Sequence, residues 1–183
     1  MNRTKLHKIE RPLAYGQVEK VLVRIFWIDE QQKGAFRGKL KHLQKLGLPG
    51  LEPGKGRRIA YTRELVFQLL LALLFAQLGI DPTLVVRAVK ENWKGTLAPA
   101  VEAAIDRGQA GNPVCLVVRP RLMSGGGLQI SWFRRYSYVP RKNPDDNPDE
   151  LPNKADEQIA GVQPWFCVIE LTRFAAQLDV LLS

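Results

Sequence analysis

The sequence predicts an α+β protein with a helical N-terminal half and a small α+β C-terminal half. Apolar residues recur at helical spacing through most of residues 17–105. A loop rich in Gly, Pro and basic residues interrupts that pattern at residues 49–61. Short β-branched and aromatic runs follow at residues 113–120, 128–139 and 164–171. These three observations together predict the fold class.

The chain begins with a basic arm, residues 1–16, which has little periodicity and is expected to be flexible. Residues 17–29 read as an amphipathic helix, and Lys33-Gly34 is predicted to form a turn. A second helix is predicted within residues 36–49, because Gly47 is a natural C-terminal stop and Pro49 prevents the helix from continuing. Its apolar stripe is narrow, and basic residues occupy the rest of its surface.

The loop "PGLEPGKGRRIAYT", residues 49–62, contains a Gly-Lys pair of the kind found in nucleotide-binding loops. Such a loop needs a Gly five positions before that Gly and a Ser or Thr after the Lys. Pro49 and Gly56 occupy those two places, so the spacing excludes a nucleotide loop. The alternation of turn residues with "RRIAY" predicts a short basic hairpin instead.

The third helix is predicted to begin at Thr62, whose side chain can cap it, and to end near Leu78. Residues 65–80 are almost entirely apolar but fall short of the roughly 20 residues that a bilayer requires. They predict a buried central helix rather than a membrane span. Asp81-Pro82 is a cap followed by a first-turn proline and starts a helix to about Trp93, while Gly95 is expected to separate it from a further helix.

The C-terminal half contains three predicted strands, an exposed loop over residues 140–160 and a last amphipathic helix over residues 171–182. The apolar stripe of that helix is expected either to form a homodimer contact or to pack on the chain's own strands. The stripe consists of Leu171, Phe174, Leu178 and Leu181.

The net charge of +9 is distributed unevenly. Residues 1–95 hold 18 Lys and Arg against 8 Asp and Glu, a balance of +10, whereas residues 96–183 hold 9 against 10. Residues 31–62 hold 8 basic residues and a single acid, Glu52. Self-repulsion opposes such a local excess, and a polyanionic partner offsets it.

Two helices, a basic hairpin and a buried third helix together predict a winged helix-turn-helix. The chain resembles the MerR-like winged-helix family over about residues 17–93. The family's "LRYYERIGL" aligns without a gap with residues 40–48, "LKHLQKLGL". Its wing "GYRRYS" is similar to residues 56–62, "GRRIAYT", and its "LGFSL" joint to residues 78–82, "LGIDP". The family's "IGELA" signature and long dimerisation helix have no counterpart here.

The resemblance implies that residues 17–95 bind double-stranded DNA. The charge balance of −1 makes residues 96–183 a poor ligand for a polyanion, so we expect this half to contact a second copy, RNA polymerase or another transcription factor. The function expected is a sequence-specific transcriptional regulator of bacterial or phage type. An architectural or packaging DNA binder, of the excisionase or terminase small-subunit kind, is an alternative, and so is an interaction module with an acidic partner. The candidate DNA-contacting residues are Arg37, Lys39, Lys41, His42, Lys45, Lys55, Arg57, Arg58 and Tyr61.

No constellation of residues predicts catalysis, a cofactor or a metal site. Cys115 and Cys167 lie in apolar runs without a CxxC spacing and are expected to be buried free thiols. Free thiols and the absence of a signal-peptide pattern predict a cytoplasmic, nucleoid-associated protein without a membrane contact.

Overall fold

A computed structural model describes residues 12–49, 59–107, 113–120, 128–134 and 167–182. It confirms a mixed α+β protein that is mostly helical and carries a small antiparallel sheet. Most of the predicted arm, most of the predicted basic hairpin and the predicted loop over residues 140–160 lie outside the described residues.

The helices and strands follow the order expected from the sequence. The N-terminal half contains α1 (Tyr15–Ile25), a 3₁₀ turn (Glu30–Gln32), α2 (Lys33–Lys45), α3 (Arg63–Gln77) and α4 (Pro82–Asn92). A π-helical segment (Trp93–Leu97) then leads into α5 (Ala98–Arg107). The sheet consists of β1 (Val114–Pro120), β2 (Leu128–Arg134) and β3 (Cys167–Glu170), and α6 (Leu171–Leu182) follows β3 directly.

The predicted starts of α3 and α4 are confirmed by side-chain caps. Thr62 Oγ1 accepts a hydrogen bond from the Leu65 N–H at 3.3 Å. Asp81 Oδ1 accepts from the Thr83 and Leu84 N–H groups at 2.9 and 3.3 Å, and proline occupies the first helical position. Both caps satisfy N–H groups that the helix itself leaves unpaired.

The first two helices end in the same backbone motif, in which a residue in the left-handed conformation reverses the chain. That residue is Gly47 after α2 (φ +89°) and Trp27 after α1 (φ +53°). The following N–H groups, of Leu48 and Ile28, each reach back 3.0 Å to a carbonyl of the helix. Glycine adopts this conformation freely, whereas a tryptophan strains the backbone by about 1 kcal/mol. Because a tryptophan carries no sequence signal for this motif, the predicted end of the first helix at residue 29 is wrong.

Two predicted turns are helical instead. Lys33-Gly34 forms the first turn of α2, and Gly95 lies inside the π-helical segment that joins α4 to α5. Neither Gly34 nor Gly95 has a positive φ, so neither position requires a glycine for a sharp reversal of the chain. Packing of the flanking apolar residues therefore overrides the low helix propensity of glycine at both positions.

The last residues of the predicted arm, residues 12–16, form regular contacts that their sequence does not predict. Leu13 and Tyr61 exchange two backbone hydrogen bonds, of 2.9 and 3.0 Å, and α1 begins two residues later. This pairing joins the entrance of α1 to the residue just before the cap of α3. The prediction of a flexible arm is thus wrong for residues 12–16, because a partner distant in sequence satisfies their backbone.

The sheet has the order β2-β1-β3, and both pairings are antiparallel. Val114 to Val118 of the central strand are all buried, in keeping with their continuous apolar run. Cys115 is buried as predicted. Cys167 is exposed, which corrects its prediction, because it opens the edge strand β3 opposite Val118. An edge strand has a neighbour on one side only.

One hydrophobic cluster contains buried residues from both predicted domains. Leu171, Ala175 and Leu178 of α6 are fully buried in it, and the Phe174 ring lies 6.4 Å from that of Phe26 at the end of α1. Leu171 and Leu178 of the stripe therefore pack inside the chain, which agrees with one of the two expectations for the last helix. These two residues are not available for the dimer contact that the other expectation required.

Helix α3 is the centre of this core, with Val66 to Phe75 buried except for Gln68. That burial confirms the prediction of a central helix. Within the described ranges, no helix combines the length and the apolarity needed to cross a bilayer.

Candidate nucleic-acid interface

The solvent-exposed face of α2 contains glycines, which have no side chain, and positively charged lysines. Its buried side is formed by Phe36, Leu40 and Leu43. The opposite side carries Gly34, Gly38, Lys41 and Lys45, all exposed and spaced so that they lie along one line of the helix. His42 flanks this line and is exposed as well. The predicted recognition helix thus presents Lys41, His42 and Lys45 to solvent together, and we call this surface the basic face of α2.

Few acids balance this face. Helix α2 contains no Asp or Glu. Lys33 pairs with Glu30, but Lys39, Lys41 and Lys45 have no ion-pair partner among the residues that the structure describes. Three ammonium groups on a helix of 13 residues repel one another, and an anion on this surface relieves that repulsion.

Arg37 lies on the flank of α2 and is held by α1. Its Nε lies 3.0 Å from both carboxylate oxygens of Glu19, and its Nη2 donates to Glu19 Oε1 at 2.7 Å. The hydrogen bond to this carboxylate, more than its charge alone, raises the pKa of Arg37. Glu19 is nearly buried, whereas the Arg37 side chain keeps 53% of its surface exposed. Arg37 therefore fixes α2 against α1, and its contact with phosphate stays a prediction.

Tyr61 does not belong to the surface. It is fully buried, and its hydroxyl accepts a hydrogen bond from Gln44 Nε2 of α2. Burial raises the pKa of its phenol, and the bond from Gln44 opposes that shift. The prediction of a DNA contact at Tyr61 is wrong, because its β-like run placed it on an exposed hairpin. It supports the basic face from behind by fastening α2 to the start of α3.

The structure adds one basic residue that the sequence did not single out. Lys90 of α4 places its Nζ 2.8 Å from where a Cβ at Gly47 would stand. It thus lies over the chain reversal that ends α2, two residues beyond Lys45. Lys90 is 43 positions after Gly47 in the chain, and only the packing of α4 brings the two together. Lys55, Arg57 and Arg58 of the predicted wing lie outside the described residues.

The glycines of the basic face allow a test of local stability. Gly38→Ala should raise the free energy of unfolding by about 0.5–1 kcal/mol, because glycine is costly in an exposed helix interior, and Gly34→Ala in the first turn should raise it by less. No atom lies within 4 Å of the added Cβ at either position. Denaturant unfolding measures the change. Gly47→Ala is the contrasting control and should destabilise the fold, since Gly47 has a left-handed backbone conformation that alanine adopts only with strain.

The fold and the site define a class only: a mostly helical α+β protein with a basic helix exposed on its surface. No protein-family model, curated protein or solved structure matches the chain.

Proposed function

We propose that the chain is a sequence-specific DNA-binding regulator of bacterial or phage type, with α2 as the helix that enters the major groove. The observation that supports this proposal most is the basic face of α2, an acid-free helix on which Lys39, Lys41 and Lys45 have no ion-pair partner among the described residues. DNA is the polyanion that a protruding basic helix fits best, because the width of the major groove accepts an α-helix.

The positions of the side chains on α2 suggest which of them contact phosphates and which contact bases. Lys41 and Lys45 lie on the outermost line of the helix, and the bare backbone at Gly38 lets a sugar-phosphate strand approach closely. Lysines that contact phosphate contribute affinity without sequence preference. His42, which can donate or accept hydrogen bonds, lies beside them and is the residue assigned here to base edges.

The first test is the salt dependence of binding to duplex DNA. If about five basic residues reach phosphates, log affinity should fall against log salt concentration with a slope near −4 to −5. Lys41→Ala with Lys45→Ala should reduce the steepness of this slope by about 2. Lys94→Ala with Arg173→Ala removes the same charge from exposed positions on other elements and should leave the slope nearly unchanged. A slope close to zero in the parent protein would contradict the DNA-binding proposal.

A second test separates regulation from packaging or architecture. Sites selected from random duplexes should share a sequence, and His42→Ala should narrow the affinity gap between selected and random duplexes. Chromatin mapping should then give peaks at promoters. A single peak at an attachment or packaging site favours the architectural alternative, and binding that survives nuclease treatment favours an acidic protein partner.

A further inference from the structure

Trp27 ends α1 in a backbone conformation that glycine would adopt without strain. The chain reverses at the end of α1 with the same motif that it uses after α2, where the left-handed residue is Gly47. At Trp27 the left-handed position carries the largest side chain, and 81% of its surface is exposed. A strained backbone and an exposed indole both oppose stability in an isolated chain. Trp27 therefore calls for an explanation outside the chain's own core.

A groove of about 990 Å³ runs beside Trp27, between the end of α1 and helix α6. Val23 and Ile28 line one wall, and Val180 and Leu181 line the other. Val180 is itself 76% exposed. An apolar groove flanked by two exposed apolar side chains is typical of a protein contact surface. We call Trp27, Val180 and the groove between them the tryptophan groove.

The charges around the tryptophan groove are balanced. Arg24 and Lys33 are matched by Asp29 and Glu30. Lys33 already pairs with Glu30, whereas the Arg24 and Asp29 side chains have no partner among the described residues. A patch with one free charge of each sign does not select a strongly acidic or strongly basic partner. It is complementary to itself, because a two-fold rotation brings each charge opposite its counterpart.

We propose that a second copy of this chain occupies the tryptophan groove, with Trp27 of each copy seated in the groove of the other. The same surface offers both a protruding indole and the apolar cavity to receive it, as an isologous contact requires. Arg24 of one copy then faces Asp29 of the partner subunit. The patch is also locally neutral on a chain of net charge +9, so the two copies meet where their repulsion is weakest.

The test is the molar mass of the full chain in solution without DNA, so that its outcome is independent of the proposed function. Light scattering over a range of concentrations should give twice the chain mass. Trp27→Gly should raise the dimer dissociation constant at least about tenfold, since a buried tryptophan is commonly the centre of an interface. Val168→Thr, which changes an exposed apolar residue on β3 away from the groove, should leave the dimer intact.

Trp27→Gly also distinguishes a contact residue from a folding residue. At a dilution where both proteins are single chains, its unfolding temperature should be about 2–4 °C higher than that of the parent, because glycine relieves the left-handed strain. A weaker dimer built from a more stable chain supports the assigned contact. A lower unfolding temperature would mean that Trp27 serves the fold, and would overturn the proposal.

Charge exchange tests the two-fold arrangement. Arg24→Glu alone should weaken the dimer, because it sets two acids against each other across the contact. Combined with Asp29→Arg, it should restore dimerisation to near the parent level. A parent that stays a single chain at every concentration, or a double variant no better than the single one, would show that a second copy does not occupy the groove.

Discussion

Asp179→Ala should lower the free energy of unfolding by about 3 kcal/mol. Asp179 of α6 forms an ion pair with Arg63 Nη2 in the first turn of α3. Only 9% of the Arg63 side chain is exposed, and burial lowers the pKa of its guanidinium. Removal of the carboxylate leaves a buried cation without its counter-charge, which commonly costs about 3–5 kcal/mol. The lower end of that range applies, because Asp179 is one-third exposed and water can partly replace it.

Denaturant unfolding followed by far-UV circular dichroism and by tryptophan fluorescence provides the measurement. Glu91→Ala, which removes an exposed acid from α4, is the matched control and should change stability by less than about 0.5 kcal/mol. Arg63→Met combined with Asp179→Leu should recover most of the loss, since apolar residues of similar volume often replace a buried pair at little cost. An Asp179→Ala protein as stable as the control would refute a structural role for this pair.

The same experiment tests how the two halves of the chain unfold. Arg63 belongs to the half predicted to bind DNA, and Asp179 to the half predicted to form contacts. Because their buried residues form one cluster, we expect a single transition in which both signals coincide. Two separate transitions would instead support independent domains divided near residue 95.

Arg37→Ala should destabilise the fold. It would leave Glu19, a carboxylate with an 11% exposed side chain, without its three hydrogen bonds from Arg37. Hydrogen bonds to charged groups are stronger than those between neutral groups, and a nearly buried carboxylate that loses them is left without compensation for its lost hydration. Lys41→Ala, on the same helix and without such a partner, should change stability by less than about 0.5 kcal/mol.

A double-mutant cycle with Glu19→Gln isolates the interaction itself. The costs of the two single changes should sum to more than the cost of the double change, because each single change removes the same interaction. Arg37→Lys should recover little, since an ammonium cannot bridge both carboxylate oxygens as the guanidinium does. Additive costs in the cycle would mean that the pair contributes nothing to stability, and would return Arg37 to the basic face as a free cation.

The sequence alone determined those features that depend on neighbouring residues. Thr62 and Asp81-Pro82 mark helix starts because a side chain two or three positions away satisfies the first free N–H groups. The apolar run from Val66 to Phe75 marks a central helix, since no other environment suits it in water. The stripe of Phe36, Leu40 and Leu43 likewise determined which side of α2 faces solvent, and so placed Lys41 and Lys45 outside.

Only the tertiary structure decided the features that join residues distant in the chain. Tyr61 is buried because Leu13 and Gln44 reach it from two other elements. Arg37 is held by Glu19, and Lys90 lies over Gly47, although neither pair is close in sequence. The backbone of Trp27 likewise does not follow from its local sequence, because tryptophan disfavours the left-handed conformation that it adopts here. Local patterns record local free energies, whereas the burial and pairing of a side chain depend on which surfaces the whole chain brings together.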